Sequence, residues 1–276
     1  MNDRELAAKA FALRRDALGL IYRSKAGHFG GSFSVMEILT LLYYRHMNVS
    51  PENAEDAGRD RFVLSKGHSA ESFYSVLADR GFFPKSDLAD FSQYGTKYIG
   101  HPNNAVKGVE MNTGSLGHGL SVGVGMALAG KMDGAGYRVY IVTGDGELGE
   151  GSVWEGAMAA GHYKLDNLTC IIDRNGLQIS GPTESVMAHG DLAGRWASFG
   201  WNVIEANGND IAALDGAICQ AKAYAGRPTV IIARTTKGYG YSAAENQVGW
   251  HHKTPDARQY EEAIAELTRR EASCRE

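Results

Sequence analysis

The chain has 276 residues, 43% of them hydrophobic and 22% charged, with a formal net charge of −4 and three cysteines. That length can bury the core of one large α/β domain, the slight acidity leaves no basic footprint for nucleic acid, and no apolar run is long enough to span a bilayer, so nucleic-acid and membrane partners are not expected. Cys170, Cys219 and Cys274 lie far apart with no Cys-x-x-Cys, and Met1-Asn2-Asp3-Arg4-Glu5 lacks the apolar core of a signal peptide, which fits a reducing cytoplasm.

Residues 3–23 carry Leu6, Ala10, Leu13, Ala17 and Ile21 near a helical period and predict an amphipathic helix. Gly27-His28-Phe29-Gly30-Gly31 is expected to break it. Ser34-Val35-Met36-Glu37 has capping-box form and predicts a second helix from about Ser34 to His46. Pro51 to Asp60 is a charged loop, and Arg61 to Ser65 a short strand turned by Lys66-Gly67-His68 into a helix near 69–80. A short helix over 86–93 precedes a long glycine-bearing loop that holds His101 and Gly114-Ser115-Leu116-Gly117. Residues 118–132 form a helix of small apolar residues suited to close packing.

Strand 137–143, helix 151–164 and strand 168–173 follow, the last with Cys170 as a buried thiol. Then come a loop, a helix near 189–199, strand 201–206, a helix capped by Asp210 and ending near Tyr224, and strand 229–234. Strands alternating with helices require parallel crossovers. The fold class expected is α/β, a doubly wound parallel sheet with helices on both faces and a site along the strand carboxyl ends. Residues 1–276 read as a single domain, with a charged, peripheral helical tail over about 255–272.

The chemistry concentrates where two apolar runs end. Val139 to Val142 runs into Gly144-Asp145-Gly146-Glu147, and Leu168 to Ile172 runs into Asp173-Arg174-Asn175-Gly176-Leu177, so that Asn175 follows Asp145 by thirty residues. Asp145 offers a carboxylate oxygen, Asn175 an amide oxygen, and the backbone near Leu177 a carbonyl. Three hard oxygens leave room for two phosphate oxygens and a water around Mg²⁺, which prefers an octahedron at ~2.0–2.1 Å. Gly146 lets backbone approach a diphosphate with its N–H turned toward it. His28, His68, His101 and His251 each stand in a glycine-rich turn rather than on a helix face, and no His-x-x-x-His spacing suggests zinc.

At these residues the chain resembles the thiamine diphosphate enzymes, whose metal–diphosphate signature is a Gly-Asp-Gly about thirty residues before an Asn. The order of motifs narrows the resemblance to transketolase, specifically its amino-terminal half. Gly27-His28, Leu64-Ser65-Lys66-Gly67-His68-Ser69-Ala70, Gly100-His101-Pro102 and Thr113-Gly114-Ser115-Leu116-Gly117-His118-Gly119 come before the metal turn. Glu150-Gly151, Trp154-Glu155, Thr236-Lys237-Gly238-Tyr239-Gly240 and Gly249-Trp250-His251 come after it, and the match covers most of residues 10–255.

The resemblance implies thiamine diphosphate and Mg²⁺ as cofactors, with Asp145, Asn175 and the Leu177 carbonyl on the metal. Gly146 and His68 would touch the diphosphate, while Gly114 and Leu116 would meet the aminopyrimidine region. His28, His101 and His251 would line the sugar channel, where imidazoles donate to hydroxyls and exchange protons near neutral pH. Glu150 and Glu155 match positions facing a neighbouring subunit; as acids at a helix start they also suit the dipole. Around His251 the chain departs from the family's histidine-rich loop, reading Ala244-Glu245-Asn246-Gln247-Val248 instead.

Full-length transketolases carry a second α/β domain that supplies the glutamate for the aminopyrimidine ring, and no room for it is expected within 276 residues. The implied protein is therefore the amino-terminal subunit of a split transketolase, moving a two-carbon ketol unit from a ketose, expected as a phosphate, to an aldose. Its expected partners are a second copy of itself and a carboxy-terminal, pyrimidine-binding transketolase subunit, in an assembly of two and two. A deoxyxylulose phosphate synthase-like or 2-oxo acid dehydrogenase-like subunit shares the metal motif, but the early Gly-His and Leu-Ser-Lys-Gly-His motifs favour the sugar branch. A non-catalytic cofactor-binding paralogue is the remaining alternative; it would not need the histidine set.

Overall fold

The computed structural model of the protein describes residues 1–275. Asn2 opens the first helix, α1 (Asp3–Ser24), with a capping box: its side chain accepts the Glu5 N–H while Glu5 accepts the Asn2 N–H. Then follow α2 (Phe29–Ser34), α3 (Met36–Leu41), a π-helical turn Leu42–His46, β1 (Arg61–Leu64), α4 (Ala70–Asp79) and a 3₁₀ turn Lys85–Asp90. After a long loop come α5 (His118–Met132), β2 (Val139–Gly144), α6 (Gly151–His162), β3 (Leu168–Arg174) and a small hairpin of β4 (Leu177–Gln178) and β5 (Gly181–Pro182). The chain closes with α7 (Thr183–Val186), α8 (Leu192–Ser198), β6 (Asn202–Asn207), α9 (Ile211–Ala223), β7 (Thr229–Arg234) and α10 (Ala257–Arg275).

Five strands form one parallel sheet in the order β1-β2-β3-β7-β6. The chain moves outward through β1, β2 and β3, leaps to β6 at the far edge, and returns to β7. Because β-α-β crossovers are right-handed, this reversal sends α9 to the face opposite α5, α6 and α8. The two-residue period of the strands shows it. Tyr140, Val142 and Ile231 pack with α1, α3, α4 and α9, while Val139, Ile141 and Ile232 pack with α5, α6 and α8. Strands covered on both sides read as continuous apolar runs, and each fully buried Val, Ile or Leu contributes about 1.5–3 kcal/mol.

A third cluster lies off the sheet, where α10 packs on α1. Ala263 and Leu267 are fully buried there with Leu18, Phe29, Phe33 and Trp250, whereas Arg258 and Glu261 remain exposed. Arg14, also fully buried, ties α1 to α3 through a two-pronged bond to Glu37 at 2.6 and 2.5 Å.

Two local expectations are corrected. The glycines at 30 and 31 do not break the chain but lie inside α2, because they pack where a side chain would collide: a Cβ on Gly30 would sit 2.9 Å from the Lys237 stem. The break runs over residues 25–28, where Lys25 (φ 56°) and Gly27 (φ 137°) take positive φ. Nor does Ser34 cap the next helix. It ends α2, and its hydroxyl donates to Asp173 at 2.6 Å, a partner far along the chain. Asp210, by contrast, does cap α9, accepting the Ala213 N–H at 3.1 Å.

Candidate active site

The carboxyl ends of β1, β2, β3 and β7 point to one side of the sheet, and a cavity of about 420 Å³ opens there. All ten site residues expected from the sequence line it: His28, His68, His101, Gly114, Leu116, Asp145, Gly146, Asn175, Leu177 and His251. They come from loops more than two hundred residues apart in sequence, so the doubly wound topology brings them together, as expected for ligands at the strand ends of an open α/β sheet.

Asp145 is 1% exposed. Its carboxylate accepts the N–H groups of Gly146 (2.8 Å) and Gly176 (2.6 Å) and the Arg174 guanidinium (3.1 Å). Burial and the neighbouring Asp173 raise its pKa, against the pull of those three donors. Asn175 Oδ1 accepts the Leu177 N–H at 3.2 Å, and the Leu177 carbonyl accepts Lys237 Nζ at 3.1 Å. A carboxylate has about four acceptor sites and an amide or peptide oxygen two, so each of the three oxygens keeps spare capacity. The Gln178 side-chain oxygen and His28 Nδ1 are buried on the cavity wall with no partner among the described residues. Hard oxygens with free lone pairs and orphaned polar atoms around an open cavity fit a Mg²⁺–diphosphate group.

The histidines form a cluster centred on His28. Its ring lies 5.3 Å from His68, 5.8 Å from His101, 5.6 Å from His251 and 4.6 Å from His252, centre to centre. Burial, then the neighbouring imidazoles and Lys66 and Lys237, push His28 down to about 4. Burial and Lys237 push His251 down to about 3, and burial lowers His68 and His101 as well. At neutral pH these four rings are uncharged, each with one donor and one acceptor nitrogen. His251 keeps its place because the preceding Trp250 packs on Phe29 at 4.8 Å, and its Nδ1 lies 2.9 Å from Lys237 Nζ. Gly114 (φ 135°) is needed for the fit of its loop: a Cβ there would stand 2.7 Å from the His101 ring.

Several residues with work at this site were not singled out from the sequence. Lys66 and Asp173 form a fully buried ion pair between the ends of β1 and β3, and Asp173 also accepts the Ser34 and Thr235 hydroxyls. Glu147, 2% exposed, accepts the N–H groups of Gly117 (2.9 Å) and Gly144 (3.0 Å) and the Ser65 hydroxyl, which clamps the Gly114–Gly117 loop to the metal turn. His189 Nε2 donates to the Asp145 carbonyl at 2.8 Å. Lys237 is the cation beside the Leu177 carbonyl. The sequence signal for Lys66, Asp173, Glu147 and Lys237 was a polar residue at or just past a strand end, which His189, in the loop between α7 and α8, lacks; their partners were not readable.

An α/β sheet carrying an aspartate–asparagine oxygen set and a ring of neutral imidazoles at its strand ends defines a thiamine diphosphate-binding domain. The family described as "Transketolase, thiamine diphosphate binding domain" matches residues 5–269. The chain is 47% identical, over 93% of its length and 92% of the relative's, to one of the subunits of the apulose-4-phosphate transketolase of Phocaeicola vulgatus. It is 39% identical to a 6-deoxy-6-sulfo-D-fructose transketolase subunit of a Clostridium species, over 95% of this chain and 96% of that one. The transketolase of Leishmania mexicana superimposes with a TM-score of 0.86 at 28% identity; the alignment covers all of this chain but 45% of that one. The chain belongs to the transketolase family, as its amino-terminal, thiamine diphosphate-binding part. It is a subunit of a thiamine diphosphate-dependent transketolase, and relatives of its own length are named as subunits, which implies a partner chain.

Proposed function

We propose that the chain, paired with a carboxy-terminal, pyrimidine-binding transketolase subunit, moves a two-carbon ketol unit from a ketose phosphate to an aldose. The observation that carries this reading is the convergence of all ten expected residues on one cavity at the strand ends. A ketose phosphate is the donor class because the relative at 47% identity is named for a sugar phosphate. When bound, thiamine diphosphate supplies the electron sink for breaking the carbon–carbon bond next to the ketose carbonyl.

Asp145, Asn175 and the Leu177 carbonyl would hold Mg²⁺, which would neutralise part of the diphosphate charge. Gly146 and His68 would face the diphosphate, Lys237, on the Leu177 carbonyl, would add a cation near it, and Gly114 and Leu116 would bear on the aminopyrimidine side. His28, His101 and His251 orient the sugar and exchange protons with its hydroxyls; neutral rings can both give and take a hydrogen bond. Glu150 and the hairpin residue Ile179, 72% exposed, lie on the open side of the cavity, where the partner chain would cover it.

Residues 1–276 act as one diphosphate-binding domain, and the assembly is two copies of this chain with two of the partner, in the cytoplasm. No helix among the described residues is long and apolar enough to cross a membrane. The test is reconstitution with the product of the adjacent gene. Turnover of a ketose phosphate that requires an aldehyde acceptor is expected from the complex and not from the chain alone. A requirement for pyruvate in place of the aldehyde would redirect the reading to a synthase.

A further inference from the structure

Beneath the histidine cluster lies a carboxylate that the cavity wall does not use. Glu71, in the first turn of α4, is completely buried and forms no ion pair among the described residues. Its Oε1 accepts the His28 N–H at 3.1 Å and its Oε2 accepts the Ser32 hydroxyl at 2.7 Å. The next residue of α4, Ser72, donates its hydroxyl to the Ser32 carbonyl at 2.6 Å. The approach is so close that a Cβ on Gly27 would stand 2.5 Å from Glu71 Oε1. The side chain of His28 makes no cap bond to α2; Glu71 and Ser72 hold the two ends of residues 28–32, while Lys66 and the Gly238 N–H hold the carbonyls of Gly31 and Gly30 between them.

A buried carboxylate without a cation is costly, and one retained beside the hub of a histidine cluster calls for a reason. We infer that Glu71 is the positioning residue of that cluster: through the His28 amide and the Ser32 hydroxyl, its carboxylate fixes where the His28 imidazole stands in the cavity. The inference rests on His28 as a sugar-facing group. Ionised, Glu71 accepts both bonds on full carboxylate oxygens; protonated, the oxygen that carries the proton becomes a donor and a poorer acceptor, so the bond made to that oxygen weakens.

Burial pushes Glu71 up to about 7, against the pull of its bonds to Ser32 and His28. The titratable and charged groups nearest it are Tyr74 on α4, raised by burial, His28, held near 4, His68 and His101, both lowered, His252, 4.6 Å from the His28 ring, and Lys66, bonded to the Gly31 carbonyl; Asp79 lies at the far end of α4. Glu71→Gln therefore separates a transition of Glu71 near pH 7 from one of any other group around His28, the neighbouring His252 ring included.

The test begins with the chain alone and uses NMR of its histidine rings, with His28 assigned through His28→Ala. The His28 resonances of the wild type are expected to shift with a midpoint near pH 7, although that imidazole is itself uncharged there, and Glu71→Gln is expected to abolish the shift. Ser32→Ala, which removes a bond that favours the ionised form, should move the midpoint to higher pH. In the reconstituted complex, Glu71→Gln should lower kcat/KM about 10–100-fold, the cost of misplacing a reacting group, with thiamine diphosphate affinity within about twofold of wild type.

Identical His28 titrations in wild type and Glu71→Gln overturn the inference; if the glutamine variant does not fold, an unmoved midpoint in Ser32→Ala does the same. A wild-type complex that transfers no ketol unit would sink the functional reading, and the NMR comparison would still decide the role of Glu71.

Discussion

Lys66 and Asp173 meet at the floor of the cavity as a salt bridge whose side chains are 1% and 0% exposed, joining the end of β1 to the end of β3. Lys66 also donates to the Gly31 carbonyl at 3.1 Å, so one ammonium joins the turn after β1 to α2 and to β3. Removing one member of such a pair strands the other charge in low dielectric, which typically costs about 3–5 kcal/mol. Lys66→Met is expected to lose that much in urea unfolding. Pairing it with Asp173→Leu should recover most of the loss in a double-mutant cycle; no recovery would mean that the pair is not the source of the effect.

Asp145→Ala is expected to abolish Mg²⁺-dependent thiamine diphosphate binding without unfolding the chain. The loss should exceed the roughly 10–100-fold typical of outer partners of a metal ligand. Calorimetry on the assembled complex measures it, and unchanged affinity would remove Asp145 from the metal.

His28→Ala and His101→Ala should leave cofactor affinity intact and lower kcat/KM by roughly 10²–10⁴-fold, the range of positioned proton-transfer groups. Steady-state kinetics with cofactor titrations separate the two effects. Near-wild-type kinetics in both variants would leave the two rings a packing role only.

Stability at low pH should depend on Asp79. Burial pushes its carboxyl up, but the Tyr44 hydroxyl, Lys9 (2.9 Å) and Lys85 (2.9 Å) outweigh it and bring the pKa from 3.8 to about 2. A depressed carboxyl stabilises the fold above its unfolded pKa, and that stabilisation is lost as pH falls through the folded value. Asp79→Asn should therefore cost roughly 1–2 kcal/mol at pH 6, with the difference shrinking between pH 4 and 2. Denaturant titrations of both proteins across that range would show it; a difference independent of pH would assign the cost to lost packing.

The strands and the metal turn were legible because their signals are local. An apolar run stopped by Gly-Asp-Gly or Asp-Arg-Asn-Gly states both the strand and the polar end it delivers, and β2 and β3 fall within two residues of the expected spans. Helix α5 was legible to the residue, since its small apolar run is bounded by Gly117 and Asp133. What could not be read were polar residues whose partners lie far away in sequence. Ser34 had a local capping pattern, yet Asp173 is its acceptor, and a serine hydroxyl takes whichever partner the tertiary fold presents. Lys66, Glu147 and Glu71 looked like ordinary charged residues flanking turns, because nothing in a one-dimensional pattern tells that a charge will be buried. The hairpin after Asn175, with two residues in each strand, is too short for any period to register.

The late return of β7 has a consequence for synthesis. β3 gains its second neighbour only when β7 arrives, and β6 is held to the sheet through β7 alone. Roughly 60 residues separate the ends of β3 and β7, so at about 5–20 residues per second a nascent chain exposes the apolar edge of β3 for several seconds. An unpaired apolar edge is a template for pairing with other chains. Ribosome-bound chains stopped before residue 229 should therefore recruit chaperones more strongly than chains released past Arg234, and slow translation of this interval would be paid for in aggregated protein.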